Sequence, residues 1–234
     1  MFYKLFTVLF TAVVVSAAGS YKFERIDRDN VALLIVDHQV GLLNVVRDYS
    51  SGDFYRNVLL HASLGKLFNL PVVLTTSAET GPNGPLPKDI LDMYPNATII
   101  KRPGEINAWD NADFRAAVAA TGKKQVILGG ITTDVCTMFV ALSMREAGYT
   151  VFANADASGA LDIRAADNAN ARMRDAGVIV LPRLSVLSDL VRDWRNAPGP
   201  GSILRWFPEF RGIIGLHAGA IREGQLLPNE TEIA

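Results

Sequence analysis

The sequence predicts a three-layer α/β fold: a doubly wound, six-stranded parallel sheet with strand order 3-2-1-4-5-6 and a C-terminal arm. Three observations predict it. Short apolar runs alternate with segments of helical periodicity from residue 31 to residue 194, the pattern of right-handed βαβ units. Most of those runs are near-continuous Val, Ile and Leu, which a sheet covered by helices on both faces requires. Gly122, Gly148 and Gly177 follow three of the helical segments, where a left-handed residue closes a helix.

The first strand covers 31–37 and ends in the carboxylate of Asp37. A helix over 54–69 returns to a second strand at 71–76. Residues 77–96, with Gly81-Pro82-Asn83-Gly84-Pro85 inside them, read as a long loop at the carboxyl edge of the sheet, serving as a lid, a subunit contact or plain surface. The third strand, 97–101, ends at Lys101-Arg102. A helix over 108–120 precedes the fourth strand, 124–129, and Gly129-Gly130 reads as a turn into a helix over 134–147. A strand at 150–154, a helix over 163–176, a strand at 178–181 and a helix over 185–194 complete the alternation. The domain therefore spans 19–196. Beyond Asn196-Ala197-Pro198-Gly199-Pro200-Gly201 lies a tail with Leu204, Trp206, Phe207 and Phe210. Segment 197–234 is too short for a core of its own and reads as an arm on its own domain or a neighbouring subunit.

Residues 1–18 read as a signal peptide: Lys4 in a short n-region, an apolar stretch from Leu5 to Val15, and small residues Ser16-Ala17-Ala18. The apolar stretch is shorter than the roughly 20 residues that span a bilayer. The expectation is a secreted protein with no membrane attachment after cleavage. Sequons at Asn96 and Asn229 fit that compartment. A formal net charge of -1, with Lys and Arg dispersed, leaves no electrostatic footprint for nucleic acid. No Gly-x-Gly-x-x-Gly follows the first strand, where the chain reads Asp37-His38-Gln39-Val40-Gly41, so a dinucleotide oxidoreductase is excluded.

The single cysteine, Cys136, lies in Gly129-Gly130-Ile131-Thr132-Thr133-Asp134-Val135-Cys136, directly after the fourth strand. One cysteine forms no internal disulfide. Its place in the first turn of a helix favours a thiolate, because free N–H groups and the helix dipole concentrate there. With the order 3-2-1-4-5-6, the first and fourth strands are neighbours, and Asp37 faces Cys136 across the crevice where ligands bind in such sheets. Asp37 then acts as the base for the thiol. A cation at the end of the third strand, Arg102 or Lys101, would hold both charges, and periodicity does not choose between them. Taken singly, a lone cysteine is a buried apolar residue and Asp37 a turn residue; their conjunction at one sheet edge points to catalysis.

Three segments together are specific: Asp37-His38-Gln39, Arg102-Pro103-Gly104-Glu105-Ile106-Asn107-Ala108-Trp109-Asp110, and Gly129 to Cys136. They resemble the isochorismatase-like cysteine hydrolase superfamily, and within it the YcaC-type hydrolases. Thr75-Thr76-Ser77, Glu79 to Pro85 and Asp193-Trp194-Arg195-Asn196 strengthen the likeness, which runs from about residue 30 to about 210. The resemblance implies a catalytic triad of Asp37, Arg102 (or Lys101) and Cys136, and a non-proline cis peptide between Ile131 and Thr132. It implies oxyanion donors from the Thr132 and Cys136 backbone, and a homo-octamer. The implied reaction is acyl transfer from a small amide through a thioester, with no cofactor. Thr76, Glu79, Asn107 and Trp109, on loops after the second and third strands, are the expected substrate contacts.

Two departures from the superfamily matter. The cation is usually a lysine, and an arginine keeps its charge without yielding a proton. Nicotinamidase-type relatives hold a metal through Asp and His after the second strand, where this chain reads Thr75-Thr76-Ser77-Ala78-Glu79; His38, His61 and His217 lack ligand spacing. No metal is expected, and His38, next to Asp37, reads as a packing residue or a support for the site rather than a catalyst. Two alternatives stand beside the amide reading: hydrolysis of a vinyl ether of the isochorismate type, and a secreted oligomeric binding protein without turnover.

Overall fold

The computed structural model describes residues 23–206. The expected signal peptide, Phe207, Phe210, His217 and the sequon at Asn229 lie outside the described residues. Six strands form one parallel sheet: β1 (Val31–Val36), β2 (Val72–Ser77), β3 (Ile99–Arg102), β4 (Gln125–Gly130), β5 (Thr150–Asn154) and β6 (Ile179–Leu181). Their order is 3-2-1-4-5-6, as the sequence predicts. The connections carry α1 (Val40–Leu43), α2 (Ser51–Phe68), α3 (Lys88–Met93), α4 (Ala112–Ala120), α5 (Met138–Glu146), α6 (Ile163–Asp175) and α7 (Arg183–Val191), and α8 (Pro200–Trp206) follows.

β1 explains why its sequence is apolar at every position. Ala32, Leu34 and Val36 point to one face and pack with Phe114 of α4, Val140 and Met144 of α5, and Met173 of α6. Val31, Leu33 and Ile35 point to the other face, toward α2 and α7 or toward α2 and α3. Side chains alternate along a strand, so both sets must be apolar when both faces are covered. Each fully buried side chain of this kind contributes roughly 1.5–3 kcal/mol.

Several boundaries depart from the sequence expectation for identifiable reasons. Ser50 accepts a hydrogen bond from the Asp53 N–H at 3.2 Å, so α2 begins before Phe54. The expected helix over 108–120 is two pieces: a 3-10 turn, Ala108–Asp110, capped by Asn107, and α4, capped by Asn111 through the Phe114 N–H at 3.0 Å. The last expected helix starts at Arg183 after Pro182 and stops at Val191, because Arg192 turns to φ 63°. The loop expected over 77–96 contains α3. Gly122, Gly148 and Gly177 do take positive φ just after α4, α5 and α6. Ile203 of α8 is 2% exposed and belongs to the apolar cluster of Leu190 and Val191. Asn96 is exposed in the turn before β3.

The Gly81–Pro85 stretch is docked against the segment after β1. The Gly41 N–H reaches the Asn83 carbonyl at 2.8 Å, and the Val40 N–H the Pro85 carbonyl at 2.9 Å. A Cβ on Gly41 would lie 2.0 Å from the Pro82 oxygen. The buried Gln39 amide spans the same gap, donating to the Ser77 and Gly84 carbonyls and accepting from the Ser77 N–H.

Gly129-Gly130, expected as a turn, are the last two residues of β4. Glycine is required there by close approach rather than by turning. A Cβ on Gly130 would sit 2.6 Å from the Val36 carbonyl oxygen and 2.9 Å from the Val36 Cβ. Gly130→Ala should therefore cost about 1–3 kcal/mol of unfolding free energy in urea titration, as overpacking does. Gly104→Ala, whose Cβ meets nothing within 4 Å, should stay within about 0.5 kcal/mol of the parent.

Candidate active site

The site grows from the carboxyl ends of β1, β3 and β4. Asp37 follows β1 and leaves the strand conformation: its φ is 55°. That is why β1 stops at Val36 rather than at Asp37. Non-glycine residues rarely occupy this left-handed region, and aspartate is among those that tolerate it. Its N–H still pairs with the Thr75 carbonyl at 3.1 Å. The side chain is fully buried.

Arg102, at the end of β3, is 1% exposed and meets that carboxylate. Its Nη2 donates to both Asp37 oxygens. Nε donates to Thr75 Oγ1 at 3.0 Å, and Nη1 to the Glu105 and Ile106 carbonyls. A guanidinium has five N–H donors, and this one has five acceptors. Thr75 passes the chain on, donating to the Ile100 carbonyl at 2.8 Å. Of the two adjacent cations, Arg102 thus faces the crevice. Lys101 faces outward, 62% exposed, and pairs with Glu79 at 2.9 Å.

Cys136 sits in a π turn, Thr133–Thr137, that opens α5. The Thr132 carbonyl closes it, accepting from the Thr137 N–H at 3.1 Å. The Ile131–Thr132 peptide is cis, as the resemblance implies. The Cys136 thiol hydrogen-bonds the Asp37 carboxylate, and the Thr132 backbone contributes a bond that favours the thiolate, hence from its N–H. Asp37, Arg102 and Cys136 therefore form one contiguous chain of groups across the carboxyl ends of β3, β1 and β4.

The charge state differs from the sequence expectation. Burial, and then the Asp37 carboxylate, push the thiol up to about 12, and the opposing Arg102 charge and Thr132 bond do not offset them. A π turn in a buried setting does not make a resident thiolate; the sulfur rests protonated. Burial also raises the Asp37 carboxyl above its ordinary value, against the pull of Arg102. A more basic carboxylate is the better acceptor for a thiol proton.

The expected substrate contacts divide. Thr76 is buried and donates to Glu79 at 3.0 Å, and Glu79 gives its other oxygen to Lys101. Asn107 is committed to the fold: it accepts from the Trp109 N–H at 3.0 Å and donates to Ser143 of α5 at 3.0 Å. Trp109 packs edge-on against Phe114 and Tyr149, with centroids 6.4 and 5.7 Å away. Sequence reasoning missed Gln39 and Thr75, because nothing in a polar residue near a strand end announces its partner. His38 is a packing residue: buried, its Nε2 bonded to the Ala157 carbonyl at 2.7 Å, its pKa lowered to about 3 by burial and by His61. His61 is likewise lowered to about 4 by burial, with Nε2 on the Leu34 carbonyl at 3.0 Å. Among the described residues no group of His, Cys, Asp and Glu is arranged to hold a metal ion.

Comparisons with known proteins agree on one family. The isochorismatase domain matches residues 31–183. The chain is similar to the probable hydrolase YcaC of Escherichia coli (strain K12), 49% identical over 174 residues that cover 74% of this chain and 84% of that protein. It is similar to the structure of YcaC from Pseudomonas aeruginosa with hexane-2,5-diol and covalent acrylamide, at 48% identity and a TM-score of 0.81, covering 85% of this chain and all (100%) of that one. The Escherichia coli YcaC structure, described as an octameric hydrolase of unknown specificity, gives 44% identity and a TM-score of 0.81 over 86% of this chain and 100% of that one.

A thiol raised by burial sets a pH dependence. Below the ordinary thiol value it is neutral folded or unfolded and costs nothing. Between about 9 and about 12 the unfolded chain ionises and the folded one resists, so stability falls as pH rises through that window. The 240 nm thiolate absorbance, taken as the difference between the parent and Cys136→Ser, should stay flat below pH 10 in the native protein. In denaturant it should rise near the ordinary cysteine value. A native midpoint below pH 8 contradicts the resting thiol.

Proposed function

The chain belongs to the isochorismatase family, and from that premise we propose that it is a hydrolase using Cys136 as nucleophile on a small amide, through an acyl-thioester. One observation carries the reading: a thiol bonded to a carboxylate that a saturated guanidinium holds in place, at the switch point of the sheet. Asp37 takes the S–H proton as Sγ attacks the substrate carbonyl. The oxyanion lies against the Thr132 and Cys136 N–H groups. Asp37 returns the proton to the departing nitrogen, ammonia or an amine leaves, and the thioester remains. Water, deprotonated by Asp37, then attacks the thioester; the acid departs and the sulfur recovers its proton. Arg102 keeps Asp37 ionised and oriented and spends no donor on the substrate.

This sequence suits a thiol that is protonated at rest, since the proton moves only when a carbonyl is present to accept the sulfur. The covalent acrylamide in the Pseudomonas aeruginosa relative supports a nucleophile in this family, because acrylamide is an electrophile that thiolates attack. Vinyl-ether hydrolysis needs an acid such as Asp37 but no nucleophilic sulfur, so Cys136 counts mildly against it, and a binding protein without turnover has no use for a base on its sulfur. The octamer of the Escherichia coli relative supports a homo-octamer for this chain, and residues 1–18 support secretion.

Ammonia release from a panel of small primary amides tests the reading. Cys136→Ala should abolish turnover with the circular dichroism of the parent, and Asp37→Asn should lower it by about 10²–10⁴. Mass spectrometry of the parent during turnover should show the acyl adduct on Cys136. Undiminished turnover in Cys136→Ala ends the proposal.

A further inference from the structure

Asp37 is held from one side of the sheet and needed on the other. Apart from the thiol, its partners are the Thr75 carbonyl of β2 and the Arg102 guanidinium of β3. Both lie on the side of β1 away from β4, which leads into the Cys136 turn. A carboxylate held only there would settle on the guanidinium, out of reach of the sulfur. Resting on the thiol-nucleophile reading, we propose that His38 is a positioning residue: it fastens the chain beside Asp37 to the segment that also holds the Cys136 turn.

That segment is 157–160, just after β5. Its Ala157 carbonyl takes the His38 Nε2–H at 2.7 Å; a carbonyl only accepts, so the ring proton is on Nε2. Ser158 Oγ accepts from the Gly130 N–H at 3.3 Å and donates to the Asn154 carbonyl at 3.0 Å. The Gly159 carbonyl takes the Thr133 N–H at 2.9 Å, and Gly159 bridges Ile131. The neighbour of the base and the turn of the nucleophile thus hang from carbonyls two residues apart. The segment is itself fixed. The Ala160 N–H donates to Asp48 at 2.9 Å, and a Cβ on Gly159 would lie 2.6 Å from Val46.

The His38 ring has no room to swing. It is buried and meets the His61 ring edge-on at 5.8 Å, and His61 is tied to the Leu34 carbonyl and, at 3.2 Å, to the Asn154 amide. The φ of 55° at Asp37 is a conformation that persists only where its surroundings impose it. Gln39 braces that corner toward β2 through Ser77, and His38 braces it toward β4 and β5. The ring moves no proton: Nδ1 is buried without a partner, and burial lowers its pKa to about 3. Its part is geometric.

Three variants test this, each checked by circular dichroism. His38→Leu loses the donor, His38→Asn stops short of Ala157, and His38→Gln carries an amide N–H to the region of Nε2. With a primary amide that the parent hydrolyses, His38→Leu and His38→Asn should lose about 10–100-fold in kcat with KM within about threefold, as displaced catalytic groups do. His38→Gln should recover most of that loss. The Cys136 thiolate absorbance at 240 nm gives a reading without turnover. It should rise at lower pH in His38→Leu and His38→Asn than in the parent or His38→Gln, because the opposing Asp37 charge has moved away. A folded His38→Leu with the kcat of the parent overturns the proposal. Where His38→Leu does not fold, equal kcat in His38→Asn and His38→Gln overturns it. A parent without turnover that needs Cys136 defeats the nucleophile reading instead; the absorbance then decides the positioning, and one onset shared by parent and variants overturns it.

Discussion

The buried pair between Arg102 and Asp37 is the constraint on which the rest of the site depends. A carboxylate with no exposure in a sheet crevice is tolerable only if its charge is met and its lone pairs are filled. Arg102 does both with one nitrogen, and its other two nitrogens reach β2 and the loop after β3. Three strand ends and a loop are thereby fixed to one planar group. A lysine at this position would present a point charge and three donors, which could not satisfy the same acceptors. That difference accounts physically for an arginine where the superfamily usually carries lysine, provided the cation's task is positioning rather than proton transfer.

The same pair sets the state of the sulfur. Asp37 is negative and buried beside Cys136, so it opposes a second negative charge on the thiol. The arrangement stores the proton on sulfur and keeps the base adjacent. Under the proposed reaction, the proton leaves sulfur as a carbonyl arrives and the oxyanion develops against the Thr132 and Cys136 N–H groups. Arg102 contributes through Asp37, not by touching the reacting atoms.

The surroundings are rigid in the same manner. Gln39 ties the end of β1 to Ser77 and Gly84, and the absent Cβ of Gly41 lets the Pro82–Asn83 backbone lie against it. Absent side chains on Gly129 and Gly130 let β4 approach Val36, Ala157 and His61. The neutral His38 and His61 hold the Ala157 and Leu34 carbonyls. Gln39 and one nitrogen each of His38 and His61 are thus engaged by backbone groups, while His38 Nδ1, Thr133 Oγ1 and Thr137 Oγ1 are buried without a partner.

The sequence by itself determined the six strands and placed Asp37, Arg102 and Cys136 at strand ends; the strand order came from the topology that alternating βαβ units favour. The strands and their ends follow from local patterns: apolar runs buried on both faces and glycine stops after helices. It also located Asp37 and Cys136, because each lies directly after an apolar run. Only the tertiary structure decided that Arg102 turns inward and Lys101 outward, that Asn107 bonds Ser143 and the Trp109 N–H, and that α3 interrupts the loop after β2. It alone showed why the thiol is raised, since the charge on a sulfur depends on how deeply it is buried and on which carboxylate lies beside it. Those are properties of neighbours distant in the chain. Side-chain direction at a strand end, and the satisfaction of every donor on a guanidinium, are likewise set by folding rather than by spacing.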